Sequence, residues 1–325
     1  MVKADLITGF LGSGKTTFIR RYAEYLLSLG EKICILENDY GAVNVDTMLL
    51  SDMKSENLGI EMVAGGCDQD CHIRRFKTKL ITMAMLGYDR VIIEPSGIFD
   101  VDEFFDILHE DPLDRRYEIS NVIAIVRADL EEKLSRQGEY LLASQAACAG
   151  AVVFSRSGEC GRDRIQNSLN HINSALGACK CKRSFDLDRN VMIKPWDELT
   201  LEDLSWISRS GYCEASYEKD FSMDDNGFQS LFFMKGTLGR EELIGNIKKL
   251  FKDDKAGNVI RVKGFVQDEG HWTEINATKD RCSEDRIGEG QDIIIVIGED
   301  LDEARIEGYF PARYSTSRTG SLDVG

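Results

Sequence analysis

Gly9-Phe-Leu-Gly-Ser-Gly-Lys-Thr-Thr17 is the stretch on which the fold turns. It fits the phosphate-loop pattern Gly-x4-Gly-Lys-Thr. Upstream, Val2 to Ile7 has the composition of a short buried strand; downstream, Phe18 to Leu29 has the spacing of an amphipathic helix. Gly9, Gly12 and Gly14 let backbone amides turn inward around a phosphate at a helix N-terminus, where the dipole favours negative charge. Lys15 is set to reach the β- and γ-phosphates and the Thr16 hydroxyl to ligate Mg2+. Ser13 and Thr17 complete the candidate nucleotide-binding set. A glycine-rich turn that binds nothing is the alternative, and the strand–loop–helix context argues against it. The expected ligand is a nucleoside triphosphate with Mg2+.

With 325 residues the chain has room for one larger and one smaller domain. Its hydrophobic content of 42% is that of a globular protein, and its net charge of −16 argues against nucleic acid or anionic membrane as a partner. Nine cysteines in no framework spacing, without a signal peptide or a spanning apolar run, fit a reducing cytoplasm. Cys34, within an apolar run, is expected as a core thiol.

Strand and helix patterns alternate through the first half. Lys32–Leu36, Arg90–Ile93, Val122–Val126 and Ala151–Phe154 follow the first strand, with helices such as Arg74–Leu86 and Asp102–Leu108 between them. This predicts an α/β nucleotide-binding domain with a mostly parallel sheet flanked by helices, over residues 1–200. Residues 201–226 are expected as a linker. A smaller α+β domain follows over 227–310, with strands Ser230–Lys235, Asn258–Gln267, His271–Ala277 and Asp292–Ile297 and a helix Arg240–Phe251. Residues 311–325 are expected as a disordered tail.

Three further motifs bear on chemistry. Glu94-Pro-Ser-Gly97 follows the third strand; a carboxylate there, facing a phosphate loop, orients Mg2+ or the attacking water. Gly97 would let the backbone approach the γ-phosphate. Glu37-Asn-Asp-Tyr-Gly-Ala-Val-Asn-Val-Asp46 follows the second strand, where ligands bind in such sheets, and offers Glu37, Asp39 and Asp46 as metal or Mg2+-water contacts. Cys67-Asp-Gln-Asp-Cys71-His72 carries two thiols and an imidazole that suit Zn2+ or Co2+ but not a hard cation. Free thiols are the alternative. Cys179-Lys-Cys181-Lys-Arg183 is either a basic loop with incidental thiols or a redox or metal pair.

Phosphate loop, Glu-Asn-Asp-Tyr-Gly with a later Asp, Gly-Gly-Cys and Glu-Pro-Ser-Gly occur in this order. Together they resemble the CobW-like family of P-loop GTPases and metallochaperones. Arg261-Val-Lys-Gly-Phe265, Trp272, Ile275-Asn-Ala277 and Ile295-Val-Ile-Gly298 resemble that family's C-terminal domain, so the likeness spans about residues 2 to 310. It implies that Lys15 and Thr16 serve the phosphates and Mg2+, and Glu94 is the acid of the third nucleotide motif. It implies slow NTP hydrolysis, with GTP expected and ATP the alternative. That hydrolysis would be coupled to holding Zn2+ or Co2+ and delivering it to a client metalloprotein.

The sequence departs from the family pattern at three places. Cys67-Asp-Gln-Asp-Cys71 stands for Cys-x-Cys-Cys, and Ala42 for a switch acid, so a tetrahedral site would need Glu37, His72, water or a second subunit, as in a homodimer. Ser155-Arg156-Ser157-Gly158 stands where relatives carry Asn-Lys-x-Asp. Arg156 can stack on a base. Gly158 cannot accept from guanine unless Glu159 takes its place, and losing a buried charged acceptor costs about 1.5–3 kcal/mol in discrimination. A second reading is an activation factor for a metalloenzyme or corrinoid protein that itself binds no transition metal. A small-molecule kinase is a third.

Overall fold

A strand buried on both faces needs a layer on each side, and β1 (Val2–Thr8) is buried at every position except Lys3. The computed structural model describes residues 1–39, 53, 55–64, 69–95, 101–218, 228–234, 238–268, 270–287, 292–311 and 314–317. They fall into two units, Met1–Asp220 and Phe221–Gly325.

In the first unit β1 is joined by β2 (Ile33–Asp39), β3 (Leu58–Ala64), β4 (Arg90–Pro95), β5 (Tyr117–Arg127), β6 (Ala151–Ser155) and β7 (Val191–Met192). All pair in parallel, in the order β3-β2-β4-β1-β5-β6-β7. The helices are α1 (Lys15–Ser28), α2 (Gln69–Met85), α3 (Val101–Leu108), α4 (Arg136–Ala147), α5 (Arg162–Ala178) and α6 (Leu201–Ile207). Phe18, Ile19, Tyr22 and Leu26 of α1 pack on Ile7, Ile35, Ile92 and Ile125, with Leu204 and Ile207 of α6 joining the cluster. On the opposite face Phe76 and Leu80 of α2, Phe104 of α3, Leu142 of α4 and Ile172 of α5 cover Leu6, Leu36 and Ile93. Strand alternation thus sorts each residue to the α1 face or the α2 face.

The second unit contains β8 (Phe228–Met234), α7 (Arg240–Leu250), β9 (Asn258–Asp268), β10 (His271–Thr278), β11 (Arg281–Ile287), β12 (Ile293–Glu299), α8 (Glu303–Glu307) and β13 (Tyr314–Ser317). Its strands pair antiparallel in the order β11-β10-β9-β12-β8-β13. Leu243, Ile247 and Leu250 of α7 pack on Phe233, Val262, Ile275 and Val296.

The expected strands are found, and the structure adds β3, β7, β11 and β13. β2 runs through Asp39, past the expected Leu36, because its backbone goes on pairing with β3 and β4 whatever the side chains. The expected linker begins instead with α6, held by a reciprocal cap between Thr200 and Asp203 and by its buried Leu204 and Ile207. In the expected tail, β13 pairs with β8, while 318–325 lie outside the described residues.

One polar cluster lies inside the parallel sheet. Asp5, fully buried on β1, accepts from Tyr22 Oη (2.7 Å), Arg90 Nη1 (2.6 Å) and Asn121 Nδ2 (2.8 Å). Arg90 also donates from Nε to Glu31 (2.7 Å). Burial, with Asp5 adding to it, pushes the Tyr22 phenol well above its ordinary range. Removing one member of a buried pair typically costs about 3–5 kcal/mol. Asp5→Ala is therefore expected to lower the unfolding free energy by about 3–5 kcal/mol in a urea titration. Lys3→Ala, on the same strand but exposed, should change it by less than about 0.5 kcal/mol.

Candidate functional site

β1 delivers the chain to the phosphate loop, and three glycines carry its turn. Gly9, Gly12 and Gly14 have φ of 144°, 70° and 95°, a region that side chains disfavour. At Gly9 space is equally restrictive: a Cβ would stand 2.2 Å from the Ile125 carbonyl oxygen of β5. The Thr8 hydroxyl fixes the loop's entry by donating to the Gln145 carbonyl (2.8 Å).

The loop ends at Gly14, which starts α1 without a side-chain cap, and the first helical turn has no acidic residue. Its amides therefore face outward in a positive field suited to an anion. Lys15 is buried, with Nζ donating to the Gly9 carbonyl (2.9 Å) and the Phe10 carbonyl (3.4 Å). The Ser13 hydroxyl is buried and has no hydrogen-bond partner among the described residues. A buried hydroxyl without a partner is costly by itself, and a phosphate oxygen in the loop would satisfy it. The loop fits a triphosphate.

Thr16, in the first turn of α1, donates from Oγ1 to Glu94 Oε1 at 2.9 Å. Glu94 is buried near the end of β4, and Glu37 of β2 stands beside it in register. Ile33, Ile35 and Ile92 pack into the α1-side core, so alternation puts Glu37 and Glu94 on that face too. Two adjoining buried carboxylates and a hydroxyl suit a hard divalent cation, Mg2+ by donor chemistry. Thr16 and Glu94, each expected at Mg2+, are thus in contact with one another. Thr17 is exposed.

Of the residues expected to hold a transition metal, the two whose side chains are described, Glu37 and His72, divide across the sheet. His72 of α2 is buried and donates from Nε2 to Asn38 Oδ1 at 2.7 Å. Asn38 follows Glu37 on β2 and faces the α2 side with Leu36. The structure does not bring Glu37 and His72 together: one lies on the nucleotide face, the other on the far face. Cys67, Asp46, Ala42 and Gly97 lie outside the described residues, as do the side chains of Cys71 and Asp39. Among the described residues no three His, Cys, Asp or Glu side chains are grouped to hold a metal. Cys181 is a core thiol and Cys179 a half-buried one, while Lys180 pairs with Glu218 (2.6 Å). Cys34, as expected, is a core thiol, and burial pushes it up to about 12.

On the other side of β1 the ends of β6 and β7 close on the loop. Arg156 follows β6 in a left-handed conformation (φ 55°) and leads into a 3-10 turn, Ser157–Glu159. A Cβ on Gly14 would stand 3.5 Å from Ser155 Cβ and 3.7 Å from the Trp196 indole. Trp196 also packs on Phe18, ring centroids 5.5 Å apart, and accepts at its carbonyl from Arg21 Nε (3.3 Å). Nothing in the sequence singled out Trp196, because the two-residue β7 before it is too short to show periodicity.

Over residues 3–180 the sequence matches the family described as CobW/HypB/UreG, nucleotide-binding domain. It is 28% identical over 185 residues to the zinc chaperone YjiA of Escherichia coli, covering 53% of this chain and 55% of that protein. It is 30% identical over 160 residues to the zinc chaperone YeiR of the same organism, covering 48% and 47%. The chain thus spans about half the length of these curated relatives. Among solved structures, Zn(II)-bound YjiA GTPase from E. coli aligns over 95% of this chain and 97% of that one, with 17% identity and a TM-score of 0.41. No helix among the described residues is long and apolar enough to cross a membrane.

Because both its conformation and its surroundings exclude a side chain, Gly9→Ala should cost about 1–3 kcal/mol in unfolding free energy. It should also weaken binding of a fluorescent nucleoside triphosphate at least about tenfold, since the loop amides would no longer converge. Gly30→Ala, whose φ is also positive but whose Cβ would meet open space, should leave nucleotide binding intact.

Proposed function

The chain belongs to the CobW/HypB/UreG family, and from that premise we propose that it is a nucleotide-gated metal-handling protein. It binds a nucleoside triphosphate with Mg2+ in the loop Gly9–Thr17 and hydrolyses it slowly with water. The cycle is coupled to holding a transition-metal ion, zinc before cobalt, and passing it to a client metalloprotein. The observation that carries the nucleotide half is the Thr16–Glu94 contact of 2.9 Å at the mouth of a loop whose Gly9 leaves no room for a side chain. The names of two relatives, both zinc chaperones, support the metal half.

Mg2+ held by Thr16 and Glu94 would supply positive charge to the β- and γ-phosphate oxygens. Lys15 would turn its ammonium from the neutral Gly9 and Phe10 carbonyls to phosphate oxygens, where donor and acceptor are both charged. Glu94, buried beside Glu37, would orient the attacking water. The cargo metal would be taken by Cys67 and Cys71 with His72. In the neutral ring, Nε2–H bonded to Asn38 leaves the lone pair on Nδ1, the nitrogen able to ligate.

β2 supplies the coupling. Glu37 faces the nucleotide side and the next residue, Asn38, holds His72 on the other. A shift of the β2 end when nucleotide and Mg2+ bind would therefore reach the α2 imidazole through one hydrogen bond.

Lys15→Ala is expected to abolish triphosphate binding; undiminished hydrolysis by that variant would sink the assignment. Zn2+ affinity, measured by chelator competition with and without Mg2+ and a non-hydrolysable triphosphate, should change several-fold, and by linkage the metal should alter nucleotide affinity equally. Asn38→Ala should keep both ligands but lose most of that difference. Zn2+ binding absent in every nucleotide state would favour the activation-factor reading.

A further inference from the structure

Thr16 and Glu94 fix which way a triphosphate lies in the loop. Mg2+ joins the β- and γ-phosphates, and its candidate ligands are on the β4 side of β1. The γ-phosphate end is then on that side, and the sugar and base must leave toward β5, β6 and β7. The groups waiting there are the turn after β6 and the loop after β7. These meet each other: a Cβ on Gly158 would stand 3.0 Å from Pro195 Cγ. The Trp196 indole lies against the Gly14 end of the phosphate loop.

The chemistry of these groups is planar, aromatic or cationic, rather than anionic. Trp196 offers an aromatic face and Arg156 a guanidinium plane, both of which stack on any base. The Ser157 hydroxyl is buried, with 7% exposure, and makes no hydrogen bond among the described residues. A hydroxyl both donates and accepts, so it can serve either purine edge. Guanine is told from adenine by its amino and ring N–H donors and its O6 acceptor, whereas adenine presents the reverse at the sixth position. Strong preference for guanine needs a buried acceptor for those donors. In these two loops the carboxylates Glu159, Asp197 and Glu198 are all exposed, and Gly158 has no side chain. Asp129, at β5's exit, is already held by two hydrogen bonds from Arg127 (2.8 and 2.7 Å).

We infer that this chain grips its base by stacking on Trp196 and Arg156 and discriminates weakly between guanosine and adenosine triphosphates. The inference rests on the nucleotide-binding half of the proposed function. Neutral hydrogen bonds alone separate ligands by no more than about tenfold.

The deciding experiment is competition of GTP and ATP analogues, both non-hydrolysable and with Mg2+, against a fluorescent nucleotide on the full chain. Dissociation constants within about tenfold of each other are expected. A preference for guanine above about a hundredfold overturns the inference while leaving nucleotide binding intact. Failure of both analogues to bind instead overturns the nucleotide site itself. Trp196→Leu should weaken both analogues about tenfold and leave inorganic tripolyphosphate, which has no base, unchanged. Equal loss of tripolyphosphate binding would make Trp196 a support for the loop and overturn its stacking role. Gly158→Asp supplies the missing acceptor and should shift the ratio toward guanine, provided Pro195 yields a few tenths of an ångström. An unchanged ratio in a folded variant would count against recognition at this turn.

Discussion

The nucleotide site depends on a carboxylate that water never reaches. Asp5 sits in the middle of β1 and is satisfied from α1 by Tyr22, from β4 by Arg90 and from β5 by Asn121. Each donor comes from an element that borders the phosphate loop or carries one of its partners. The pairing of β1 with β5 slips by one residue between Ala4 and Asp5, which brings Asp5 opposite Asn121. Asn121 in turn ties in the segment after α6, through the Ser208 carbonyl and the Gly211 amide. An apolar residue at position 5 could fill the space, but it would not set the register of three strands and a helix at once. With β1 and α1 locked together below, the loop between them is held at both ends, and its glycines must take up the turn.

How much of this was legible in the sequence follows from where each signal resides. The phosphate loop is a local pattern and could be found from a handful of residues. The central strands are apolar on both faces and stand out as short runs. β3 does not: Leu58-Gly-Ile-Glu-Met-Val-Ala mixes a glycine and an acid into an edge strand that is buried at only part of its length. Gly59 is there to admit the Tyr88 hydroxyl, 2.2 Å from where a Cβ would be. β11 is almost wholly charged or polar and half-exposed or exposed throughout, so only its backbone pairing with β10 makes it a strand. That is how an edge strand resists further pairing, and it leaves no apolar alternation to detect.

The candidate site divides in the same way. Thr16 and Glu94 lie far apart in the chain, yet each stands at a strand or helix end that the topology aims at the loop. The phosphate-loop pattern and the acid after the third strand singled them out one by one; that they touch comes from the fold. Glu37 and His72 could be grouped as ligands only while β2 was taken to stop at Leu36. Once the strand continues to Asp39, the period of two separates Glu37 from Asn38 and sends His72 with the latter. Trp196 needed the fold itself, because its meaning comes from the Gly14 backbone it covers and not from its neighbours in sequence.

The separation of Glu37 from His72 bears on how two ligands could communicate. Were both residues in one cluster, a transition metal and Mg2+ would compete for the same carboxylate, and each would displace the other. With Glu37 in register with Glu94 and Asn38 bonded to His72, the two proposed ligand classes would meet different faces of one strand. Binding on one face can then bias the other without steric exclusion, provided the strand end has two arrangements of similar free energy. A packed sheet does not deform continuously, which favours a switch between discrete states over a graded shift.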